Sequence, residues 1–166
     1  MGDFFQTGTI ATLHDFGSRT TGELEKELKL FSAYRPMEII LPCLFSELEG
    51  NALPNIVDEI ACTDYLNHVV IGLDRADRDQ YEYAYEFFTR LKQPFSMLWN
   101  DGPRLKAIQD ELQEKGLAPT EAGKGRNVWY CIGMVNARGK ADAVGIHDCD
   151  VLTYDRRLLA RLLYPV

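Results

Sequence analysis

Ala143-Val144-Gly145-Ile146-His147-Asp148-Cys149-Asp150 is the stretch whose reading decides the fold, a short apolar run that ends in two carboxylates one residue apart. A run of this length bounded by polar residues predicts a buried strand, held in place by Val144 and Ile146. On extended backbone, residues i and i+2 share a side, so the carboxylates of Asp148 and Asp150 leave the strand end together. Paired hard oxygens suit a divalent cation carrying a diphosphate, because Mg2+ takes one or two carboxylates and completes its shell with phosphate and water. With Asp at roughly one residue in twenty, a chain this long has about an even chance of one Asp-x-Asp by accident. Asp77-Arg78-Asp79 is a second instance, but it lies among charges entering a helix, whereas 148/150 closes an apolar strand. Context therefore selects Asp148 and Asp150 as the candidate metal ligands.

Outward from this strand, helical and extended patterns alternate. Met37-Glu38-Ile39-Ile40-Leu41-Pro42 and Val69-Val70-Ile71-Gly72-Leu73 read as core strands, the second ending at Asp74, and residues 95–99 as a third. Apolar spacing predicts helices over residues 21–34, 52–61, 78–91, 103–115, 126–137 and 154–163. Pro54 and Pro103 suit first helical turns, and Pro36 and Gly116 act as stops. Tyr81, Tyr85, Phe87 and Phe88 form an aromatic stripe at helical spacing, which reads as core packing rather than a stacking platform. Residues 8–14 alternate weakly and read as a short strand or an arm, with His14 a structural residue. The expected division is an arm and helix over residues 1–36 packed on one α/β domain over 37–166.

Alternating strands and helices predict an α/β fold with a Rossmann-like, mostly parallel sheet and helices on both faces. Right-handed crossovers, with three strands laid to one side and the fourth returning past the first, give the order 3-2-1-4. Strands one and four then meet at a switch point, where a crevice opens at their carboxyl ends. The loop of residues 41–47 and the pair Asp148/Asp150 would face each other there, with Asp74 next along.

Composition narrows the function. The chain has 166 residues, 46% of them apolar, enough for one core, and a net charge of −7. No Lys/Arg cluster exists to neutralise a run of phosphates, which argues against a nucleic-acid surface. Cys43, Cys62, Cys131 and Cys149 are scattered without Cys-x-x-Cys or His at zinc spacing, so the sequence indicates reduced thiols in a cytoplasm, with neither disulfide framework nor zinc site. The first residues lack the basic start and long apolar run of a signal peptide, and no apolar run is long enough to span a membrane.

Gly123-Lys124-Gly125 at a helix start is the second chemical feature. Flexible backbone, helix N–H groups and an ammonium can all approach a phosphate there. It is not a P-loop, because Ala118 stands where that motif needs Gly, and Gly125 where it needs Ser or Thr. By itself the tripeptide reads as a surface turn. Its position one helix before the carboxylate-tipped strand gives it weight, since cation, metal and crevice can converge on one diphosphate.

Leu41-Pro42 leading through Ser46-Glu47 into a helix, a strand ending in Leu73-Asp74, Gly123-Lys124-Gly125 opening a helix, and Asp148-Cys149-Asp150 together resemble the nucleotide-sugar half of a GT-A glycosyltransferase. Within that fold they are most similar to the retaining enzymes that make glucosyl-3-phosphoglycerate, mannosyl-3-phosphoglycerate or mannosylglycerate. The resemblance covers about residues 37–163. It implies that the backbone of Leu41, Pro42 and Cys43 holds a uracil or guanine ring, Glu47 the ribose and Asp74 the base edge. It further implies that Lys124 approaches the diphosphate and sugar, that Asp148 faces the ribose or sugar, and that Asp150 holds Mg2+ or Mn2+. Lys124 and Asp150 would then be the catalytic pair. His147 and Cys149 are variable ground in it, and Cys149 is expected to pack inward rather than bind metal.

The implied reaction moves a sugar from a nucleotide-diphosphate sugar to a small anionic acceptor such as glycerate or 3-phosphoglycerate. In the relatives a second half, carrying the acceptor pocket, follows the Asp-x-Asp helix, so these residues read as the donor-binding half. A noncatalytic nucleotide-sugar-binding or assembly module, pairing through its sheet edge into a homo-oligomer, is the alternative. A nucleotidyltransferase fits less well. A phosphatase would use Asp148 or Asp74 as nucleophile, and the Ser/Thr and Lys stations it needs are not evident.

Overall fold

A computed structural model describes residues 17, 19–119 and 121–166. The arm expected at residues 8–14 lies outside the described residues. Four strands, β1 (Met37–Leu44), β2 (Leu66–Asp74), β3 (Phe95–Trp99) and β4 (Ala143–Ile146), form one sheet. Its order is β3-β2-β1-β4 and every pairing is parallel, as the strand–helix alternation predicts. The helices are α1 (Thr21–Ser32), α2 (Ala52–Ala61), α3 (Arg78–Phe88), α4 (Pro103–Glu114), α5 (Lys124–Arg138) and α6 (Arg156–Leu163), with a 3-10 turn at Phe45–Glu49.

β1 is apolar at almost every position because both of its faces are covered. Ile39, Leu41 and Cys43 enter the larger core, where Leu53, Ile56, Val57 and Ile60 of α2 recur at helical spacing. α1, α3 and α6 add Leu24 and Leu28, Ala84 and Phe88, and Leu159 and Leu163 to that face. Ile40 and Val70 point the other way, onto Cys131 and Val135 of α5. The two faces follow from the route of the chain. The crossovers through α2 and α3 step along the sheet in one direction and lie on one face. The return past β1 to β4 runs in the opposite direction, and a right-handed connection then puts α5 on the other face.

Two expectations need correction. Val144 and Ile146 do not bury: they are 39% and 42% exposed, and the inward residues are Ala143 and Gly145. β4 is the sheet edge, and α5 packs over β1 and β2 without reaching across it. The strand is held instead by its ladder to β1 and by α6. A Cβ on Gly145 would sit 3.3 Å from a methyl of Leu162, so glycine is what lets that helix close in. The aromatic stripe is also split. Phe88 is fully buried and Tyr81 stacks on Trp99 at 4.9 Å, but Tyr85 remains 49% exposed, resting on Phe95.

Candidate active-site crevice

Beyond Ile146 the backbone leaves the sheet, yet the alternation of buried and exposed residues runs on through Asp150. His147 and Cys149 point inward while Asp148 and Asp150 stay exposed, which keeps both carboxylates on one side as the i, i+2 spacing predicts. They form one wall of a crevice of about 160 Å3 at the carboxyl ends of β1, β2 and β4. Pro42, Cys43, Glu47, Asp74, Arg75, Gly123 and Lys124 line the same crevice. Every site residue named from sequence lines this crevice except Leu41, whose side chain is wholly buried in the core.

α5 is aimed at the crevice by two glycines. Gly123, its N-cap, has φ 145°, a conformation that L side chains rarely adopt. The N–H groups at the start of a helix have no intrahelical partners, so the first turn beginning at Lys124 presents donors and a positive dipole end. Gly72 of β2 sets the height of the helix. Its carbonyl accepts a 2.7 Å hydrogen bond from Asn127 Nδ2, and a Cβ there would lie 1.8 Å from Asn127 Oδ1 and 2.6 Å from Cys131 Sγ. With α5 so placed, the Lys124 ammonium donates to Asp148 Oδ1 across the crevice mouth. The ion pair is about half exposed, with side chains 59% and 48% accessible.

Asp74 is nearly buried at the tip of β2. Its Oδ1 accepts the Arg75 N–H at 3.1 Å and faces the Arg126 guanidinium at 3.9 Å. Arg75 stands at φ 56°, the one non-glycine residue with positive φ among the described residues. A side chain held in left-handed backbone costs about 1 to 2 kcal/mol, and such positions concentrate where a site fixes its geometry. Glu47 is held by the Leu44 N–H, which donates to Oε2 at 2.8 Å. Burial pushes its carboxyl above the usual carboxylate range. The Leu44 N–H and the Cys43 thiol pull it back, while Asp150 and Asp148 push it up further.

Sequence reasoning passed over Arg126 and Asn127. Gly72 carried a usable signal, since an isolated glycine inside a strand marks close approach of another element. His147, beside the ligand pair, is buried against Tyr154 with ring centroids 5.1 Å apart, and burial lowers its pKa to about 4. It sits behind the wall as a neutral ring. Cys43 and Cys149, distant in sequence, come together under the crevice: the β1/β4 register pairs Ile40 with Ile146, and both cysteines lie three residues further on. Asp77 serves elsewhere, capping α3 by accepting the Gln80 N–H at 2.9 Å.

An all-parallel sheet with a polar crevice at its switch point defines a Rossmann-like α/β domain of the type that receives phosphorylated ligands at strand ends. No protein-family model matches the chain. Similarity to known proteins takes the description further. The chain is 43% identical over 166 residues to glucosyl-3-phosphoglycerate synthase of Persephonella marina, covering 100% of this chain and 41% of the relative. It is 36% identical over 165 residues to glucosyl-3-phosphoglycerate synthase of Methanococcoides burtonii, covering 99% and 40%. The chain therefore spans about two fifths of the length of the curated relatives it matches. The likeness to glucosyl-3-phosphoglycerate synthase read from sequence holds along the whole chain.

Proposed function

We propose that this chain is the donor-binding half of a GT-A glycosyltransferase that moves a glucosyl group from a nucleotide-diphosphate sugar to 3-phosphoglycerate or a similar small anionic acceptor. The observation that carries the proposal is the meeting of Lys124, at the N-terminus of α5, with Asp148 in a crevice that Asp150, Pro42 and Glu47 also line. Cation, carboxylates and base-binding loop thus face one crevice. The names of the relatives supply the glucosyl group and the acceptor. Residues 37–166 are read as the nucleotide-sugar-binding domain, with 1–36 packed on it. Acceptor binding is assigned to the part of the relatives' length that these residues do not span.

Asp150 and Asp148 fit Mg2+ or Mn2+, because both are exposed hard-oxygen donors lining the same crevice. Such a cation, when bound, supplies positive charge beside the diphosphate oxygens. The other residues prepare the site. In the proposed complex Lys124 exchanges Asp148 for the diphosphate, and the first N–H groups of α5 point at the same oxygens. As the bond from the anomeric carbon to the diphosphate breaks, negative charge grows on those oxygens, and donors fixed in place by Gly72 and Gly123 stabilise it without reorganising. Glu47 would take the ribose hydroxyls and Asp74 the edge of the base, with the backbone from Leu41 to Cys43 flanking the ring.

Titration with UDP-glucose and GDP-glucose, with and without Mn2+, tests the reading. One diphosphate donor should bind best and gain affinity from the metal. Metal-independent, equally weak binding of every nucleotide contradicts it. Among the described residues β4 ends the sheet, with Val144 and Ile146 exposed on its face, which favours a second reading, a noncatalytic module that assembles through that edge. Four free cysteines support a reducing, cytoplasmic setting for either. Among the described residues no helix is long and apolar enough to cross a membrane.

A further inference from the structure

Beneath the carboxylate wall, the crevice floor has a different chemistry. Sγ of Cys43, Sγ of Cys149 and a carboxylate oxygen of Glu47 all lie within 4.8 Å of one another. A tetrahedral cation with sulfur ligands at about 2.3 Å holds neighbouring ligand atoms about 3.8 Å apart, so small side-chain movements close the set. The geometry points to a thiophilic cation site made by Cys43, Cys149 and Glu47, taking Zn2+ or a metal of similar softness and separate from the hard-oxygen pair Asp148/Asp150.

Three features of the fold support the site. Cys43 lies near the end of β1 and Cys149 in the turn three residues past the end of β4, so the pairing of those two adjacent parallel strands brings both segments to the same end of the sheet. Glu47 is oriented by the Leu44 N–H at 2.8 Å, the kind of outer partner that fixes a metal-binding carboxylate. All three residues line the crevice, with Glu47 half-buried and both cysteines buried at its base. On binding, two thiol protons pass to solvent, and the ion exchanges waters for two thiolates and one carboxylate oxygen. No oxidation is involved. Soft thiolates select zinc over Mg2+, whereas the oxygens above them suit Mg2+ or Mn2+.

The test is titration of the purified chain with Co2+ in the presence of a phosphine reductant, followed by displacement with Zn2+. Sulfur-to-cobalt charge-transfer absorption with the visible bands of a four-coordinate ion, abolished by Zn2+ and persisting in excess Mg2+, is the expected result. Cys43→Ser and Cys149→Ser should each weaken binding about 100-fold and remove the charge-transfer intensity in proportion, and Glu47→Gln should cost about tenfold. Cys62→Ser, at an exposed thiol, should change nothing. The wild-type titration needs no variant, so a chain without the sulfur band overturns the proposal. So does a band that survives in both Cys43→Ser and Cys149→Ser chains shown to be folded by circular dichroism. Neither outcome depends on whether the crevice binds a nucleotide sugar.

Discussion

Replacing Gly72 by alanine attacks the joint that holds α5, and with it Lys124, over the crevice. The added Cβ would lie 1.8 Å from Asn127 Oδ1, 2.8 Å from its Cγ and 2.6 Å from Cys131 Sγ. Asn127 is 2% exposed and Cys131 fully buried, so neither side chain can swing into solvent. Relief therefore requires either loss of the 2.7 Å hydrogen bond from Asn127 Nδ2 to the Gly72 carbonyl or outward displacement of the helix. Leaving a buried polar group unpaired costs about 1 to 3 kcal/mol, and overpacking a core costs about 1 to 3 more. The reduced freedom of the unfolded chain returns about 0.4 to 1 kcal/mol. The net loss is about 1 to 5 kcal/mol, or roughly 2 to 20 °C in Tm for a domain of this size. Urea unfolding of the single and double variants is the assay. Gly72→Ala should cost less in an Asn127→Ala background, since the clash with Asn127 is then gone. A Gly72→Ala chain within about 0.5 kcal/mol of the parent, or costs that simply add, would refute the account of how α5 is seated.

Two further predictions concern stability and association. Burial, then the nearby Arg138 and Lys140, hold His68 down to about 4, below the unfolded value of about 6.5, so the folded chain keeps it neutral while the unfolded chain takes up a proton. Its effect on stability is therefore absent above about pH 6.5 and grows as pH falls towards about 4, reaching a loss of up to about 3 kcal/mol. Urea midpoints should fall less steeply through that window for His68→Gln, with His147 still contributing; identical slopes would rule the assignment out. At the sheet edge, Ile146→Lys should reduce concentration-dependent light scattering while changing stability by no more than about 0.5 kcal/mol, because Ile146 is 42% exposed. Unchanged scattering, or a large fall in Tm, would show that this face is not the open edge described.

The strands and their order were legible because apolar runs, punctuation by Pro and Gly, and crossover handedness are local or general constraints. Pro36, Pro54, Pro103 and Gly116 bound elements close to where the pattern places them. The convergence of Lys124 with Asp148 was also legible, since it follows from strand order and helix entry alone. What the sequence concealed depends on which face each neighbour reaches. Val144 and Ile146 look like core residues, yet α5 stops short of the edge strand, and the small residues Ala143 and Gly145 bury instead. Cys43 and Cys149 look unrelated because their meeting depends on the β1/β4 register. The approach of Arg126 to Asp74 was hidden because it depends on how the first turn of α5 sits over the tip of β2.

The central claim is that the 148/150 pair, and not the other Asp-x-Asp, prepares the crevice for a diphosphate. The most direct measurement compares Mn2+-dependent donor binding by calorimetry for Asp150→Ala and Asp77→Ala. Asp77 is a helix cap, so its loss should cost about 1 kcal/mol of stability and leave binding unchanged. Asp150→Ala should keep the fold and abolish the gain in affinity that Mn2+ gives. Equal loss of that gain in both variants, or its survival in Asp150→Ala, would contradict the account.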